Sequence, residues 1–70
     1  MFWWFERGGR YLRCEAAPVS AGGFELRVIH PDGTEQVERF ADSGDLAQRQ
    51  HEVIDEVIRD GWDGPHGWNV

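Results

Sequence analysis

The side chains best equipped for chemistry in this chain are rings and guanidinium groups. The chain opens Met-Phe-Trp-Trp-Phe, and an extended strand through it puts Phe2 and Trp4 on one side, Trp3 and Phe5 on the other. If Trp3 and Phe5 face a core, then Phe2 and Trp4 are joined on the outer side by Tyr11, Arg13, Arg27 and Ile29. Stacking on such rings is worth about 1–3 kcal/mol per base and arginines reach phosphates, so single-stranded nucleic acid fits this surface. A protein partner, a second copy of the chain or a covering tail fits it too.

Charge separates these alternatives. The net charge is −6, and the four arginines among residues 1–30 are diluted by Glu6, Glu15 and Glu25. A polyanion is repelled by that balance, since phosphate-binding domains are basic or carry a basic stripe. A marginal domain also gains more by burying its rings against itself or a copy. The expected partner is therefore protein, with nucleic acid as the alternative. Asp42, Asp45, Glu52, Asp55, Glu56, Asp60 and Asp63 raise a third idea, an acidic mimic of nucleic acid. Acids on the outer side of an amphipathic helix already serve solubility, which is the simpler account.

Catalytic and metal patterns are weak. His30, His51 and His66 are spread over a turn, a helix and the tail, and none stands in a His-x-x-x-His pair. Cys14 alternates with Leu12 and Ala16 and reads as a small core residue. Being the only cysteine, it can form no internal disulfide, which suits a reducing compartment. Gly8-Gly9 and Gly22-Gly23 do not precede helices, so neither is a phosphate loop. No enzyme, metal or cofactor is expected, and no catalytic residue is assigned.

These side chains must be held by a single domain, residues 1–70, with little core to spare. Its large apolar side chains include nine aromatics but only three Leu and three Ile, so rings carry the core. "FWWFERGGRYLRCEA" reads as a hairpin turning at Gly8-Gly9. "FELRVIH" is a third strand, "HPDG" a turn, and "TEQVERF" a fourth strand. Val37 and Phe40 fall on opposite faces under strict alternation, which predicts a bulge or an early end there.

The period then changes. Leu46, Gln50, Val53, Ile54, Val57 and Ile58 form a stripe at helical spacing, with Asp42 or Ser43 to cap its start and Gly61 to close it. Trp62 is expected to fold back onto the last turn. "DGPHGWNV" holds too many breakers for regular structure and predicts an irregular tail pinned by Trp68.

The second half resembles a group of small uncharacterised bacterial proteins sharing a PDG turn, a V-x-x-F strand end, a helix and a closing GW-x-GP. The residues concerned are Pro31, Asp32, Gly33, Val37, Phe40, Gly61, Trp62, Gly64 and Pro65. The resemblance implies this fold and brings no activity. The order of elements is also similar to the strand-strand-strand-strand-helix units of single-stranded DNA-binding transcription cofactors and the plant Whirly proteins, in topology alone.

The expected architecture is α+β: a four-stranded antiparallel β-meander, then one C-terminal α-helix on one face (β-β-β-β-α) and a Trp-containing tail. A helix of about 17 residues spans roughly 25 Å and covers one face. The other is left for binding, with Phe2, Trp4, Tyr11, Arg13 and Arg27 as candidates. No apolar run is long enough to cross a membrane, so a soluble cytoplasmic protein is expected.

Overall fold

Gly8 and Gly9 adopt φ of 57° and 79°, a two-residue turn whose twist suits a hairpin. It joins β1 (Phe2–Arg7) to β2 (Arg10–Pro18), with Arg7 opposite Arg10. The computed structural model describes residues 1–67. The second hairpin connects β2 to β3 (Phe24–Ile29) through a turn in which Val19 N–H donates to Gly23 O at 3.1 Å. The third runs through the Pro31-Asp32-Gly33 turn into β4 (Glu35–Phe40). There Asp32 Oδ1 accepts from Thr34 N–H at 2.9 Å, and hydrogen bonding to Thr34 holds the Asp32 carboxyl below its usual range.

Helix α1 (Ser43–Arg59) starts where Asp42 Oδ1 accepts from Asp45 N–H at 2.9 Å, and Gly61 takes the left-handed position after it, φ 93°. Trp62 folds back and is buried, its N–H donating to Val57 O at 3.2 Å. Of the helical stripe, Leu46, Gln50 and Val53 are buried and Ile54 and Val57 half-buried, but Ile58 is exposed.

Two expectations are corrected. Residues 63–66 are extended: β5 (Asp63–His66) pairs antiparallel with β1, so the sheet has five strands in the order β4-β3-β2-β1-β5 rather than four. Gly64 makes this pairing possible, because a Cβ there would lie 2.8 Å from Phe5 Cδ2 and 3.0 Å from Trp4 O. The expected bulge in β4 is absent; six consecutive residues pair regularly with β3, Phe40 turning to the helix and Val37 to the opposite face. The role assigned to Trp68 lies outside the described residues.

The core sits between the sheet and α1, which packs against β3, β4 and β5. Trp3, Phe5, Cys14 and Leu26 are its most buried members, with Leu12, Ala16, Val28, Leu46, Val53 and Trp62 around them. Burying rings as large as Trp3 and Phe5 contributes about 1.5–3 kcal/mol each. Arg7 fastens the open end: its Nη1 donates to Asp60 O at 2.6 Å and its guanidinium lies 4.6 Å from the Trp62 ring centroid. Arg49 ties α1 to β4 through Glu38 at 2.8 Å.

Candidate functional site

Strand pairing brings alternate residues of β1 to β4 onto the face opposite the helix. One row runs Trp4, Arg13, Ile29, Glu35 and the next Phe2, Glu15, Arg27, Val37, with Glu6 opposite Tyr11 beyond. All five candidates, Phe2, Trp4, Tyr11, Arg13 and Arg27, therefore lie on one surface. Phe2 is 41% exposed, Tyr11 52% and Val37 46%, so three of the five exposed large apolar side chains among the described residues share this face. Val37 was flagged in the sequence only as an irregularity; its alternation with Phe40 was the signal.

The face has two unlike halves. On β1 and β2, Phe2, Trp4, Tyr11 and Arg13 line a shallow depression of about 360 Å³. The Phe2 and Trp4 rings are 5.9 Å apart, and Trp4 is flanked on its other side by His66 at 6.1 Å. The Trp4 ring also lies against Gly67, where a Cβ would run into it. Trp4 is thereby held as a half-buried wall, while Phe2 and Tyr11 stay open. Arg13 makes no ion pair among the described residues.

On β3 and β4 charges neutralise one another. Arg27 lies 2.9 Å from Glu25 and 3.3 Å from Glu35, and Arg39 lies 3.6 Å from Glu25. Hydrogen bonding to Glu25 and the charge of Glu35 raise the Arg27 pKa further, so its guanidinium is engaged within the sheet. Of the two candidate arginines, the geometry leaves Arg13 for a partner.

The helix side offers a cleft of about 310 Å³ between α1 and β4, floored by Leu26, Val28 and Val53. It exists because β4 presents Gln36 and Glu38 to the helix where apolar side chains would close the gap. Its charged rim, Glu38 and Arg49, is occupied with itself. The Cys14 thiol is pushed up to about 12 by burial and is held as a neutral core group. His30 contacts Gln36 at 3.1 Å and His66 contacts Asp63 at 3.1 Å, whereas His51 is exposed on the helix. Among the described residues, no three His, Cys, Asp or Glu side chains group to hold a metal, and no helix is long and apolar enough to cross a membrane. Set against family models, characterised proteins and solved structures, the chain matches none of them.

Proposed function

We propose that this domain acts by binding, and that it engages a protein through the ring-bearing half of its open face. One observation carries the reading: Phe2 and Tyr11 stay exposed beside Arg13, which makes no ion pair among the described residues, in a domain with few large apolar side chains to spare. Aromatic and arginine anchors around a shallow apolar depression are the groups that dominate protein interfaces. A net charge of −6 and the local neutralisation of Arg27 weaken the case for a nucleic-acid strand on the same surface.

A photo-crosslinking residue in place of Tyr11, with one in place of Ile58 as control, tests this in cells. A discrete protein adduct from position 11 and none from position 58 is expected. Nucleic-acid adducts, or none from either position, overturn the reading. Tryptophan fluorescence titrated with a single-stranded oligonucleotide gives the complementary check, since a response that steepens as salt falls assigns the face to nucleic acid instead.

A further inference from the structure

The two edges of the sheet differ in what they leave unpaired. On the β5 side the edge strand is four residues long, contains Gly64 and Pro65, and shifts register against β1. Those are the features that blunt an edge against further pairing. On the β4 side six residues run without bulge or proline.

The groups that β4 turns outward follow from its hairpin. His30 N–H donates to Thr34 O at 2.8 Å, so along the ladder Gln36, Glu38 and Phe40 exchange main-chain bonds with β3. Glu35, Val37 and Arg39 therefore direct their N–H and C=O groups away from the sheet. Their side chains stand on the open face, Val37 in the centre with an acid two residues before it and a base two residues after.

We infer that β4 pairs antiparallel with β4 of a second copy about a two-fold axis at Val37. In that register Val37 lies opposite its own symmetry mate, and Glu35 of each chain lies opposite Arg39 of the other. Every outward-directed main-chain group of Glu35, Val37 and Arg39 finds a partner. An apolar pair sits in the centre with an ion pair on either side. Other registers fail for stated reasons. Glu35 against Glu35, or Arg39 against Arg39, sets like charges together, and Glu35 against Val37 leaves charges unmatched. A slip by one residue turns every side chain to the wrong face. The charges that would otherwise blunt this edge thus select one pairing. Both open faces then lie on the same side of a continuous sheet. The contact is small, so the dimer is weak and concentration-dependent. The inference is independent of the binding role given to the rings.

Sedimentation of the whole chain up to about 1 mM tests it. The wild type is expected to dimerise reversibly, and the amide protons of Glu35, Val37 and Arg39 are expected to gain exchange protection as concentration rises, those of β5 remaining unchanged. Glu35→Arg and Arg39→Glu each set like charges at both symmetric contacts and are expected to raise the dissociation constant on the order of tenfold. Mixed together, these two variants restore complementary contacts and are expected to recover a one-to-one dimer. Circular dichroism of each variant alone confirms the fold. A wild type that stays monomeric at that concentration overturns the pairing, as does a dimer unaffected by either charge reversal or a mixture that stays apart. A dimer lost in Tyr11→Glu but kept in both charge variants assigns association to the ring-bearing face and overturns the edge pairing alone.

Discussion

The two faces of this sheet are made from alternate residues of the same strands, and they solve opposite problems. On the helix side Trp3 and Phe5 are fully buried, surrounded by Leu12, Cys14, Leu26 and Val28. On the other side their immediate neighbours Phe2 and Trp4 stand with Tyr11 beside Arg13, and farther across the sheet Glu25, Arg27, Glu35 and Arg39 pair among themselves. A single five-residue stretch thus divides its rings between the core under α1 and the opposite face of the sheet. Among the described residues the difference is coverage: α1 packs on one face, whereas on the other His66 and Gly67 lie against Trp4.

The comparison is sharpest at the buried rings. Trp3→Ala should cost about 3–5 kcal/mol, enough to unfold much of the population of so small a domain, and urea denaturation measures it. At Cys14 the contrast appears as a pH effect. The folded chain keeps the thiol proton up to about 12, whereas the unfolded chain releases it in the ordinary thiol range. Stability is therefore intact below the ordinary thiol range and declines as pH rises from that range toward about 12, and a Cys14→Ala chain should lack this component of the slope in urea midpoints. Gly64→Ala should cost about 1–3 kcal/mol, because φ there is 147° and the added Cβ meets Phe5. The expected sign is a loss of amide protection in β5 before the rest of the sheet.

Asp42→Ala removes the side-chain acceptor at the helix start and should cost about 1 kcal/mol by thermal melting. Tyr11→Ala should change stability by less than about 0.5 kcal/mol, since the residue is about half exposed, while abolishing the protein adduct formed by a crosslinking residue placed at Phe2 beside it. A large stability loss at Tyr11 would erase the distinction between the faces.

Much of the architecture was legible because local signals agreed with it. Gly8-Gly9, the Pro31-Asp32-Gly33 turn and the stripe from Leu46 to Val57 each specify an element through backbone preference or spacing. Alternation placed Phe2, Trp4, Tyr11, Arg13 and Arg27 on one face once the helix was assigned to the other. The fifth strand was hidden because glycine and proline predict a break, whereas here Gly64 lets the backbone approach Phe5 and pair with β1. Regularity in β4 was hidden too, since an exposed Val37 looks like an error in the pattern until the open face is seen.

By itself the sequence determined the turns, the helix with its cap, and the alternation that splits the opening rings into two sets, because these follow from φ preferences and side-chain periodicity within a few residues. Tertiary structure decided which set lies under the helix, that among the described residues Arg27 is ion-paired and Arg13 is not, and that one edge strand is short and broken while β4 runs regularly. Those outcomes depend on neighbours brought together from distant parts of the chain, which no local pattern encodes.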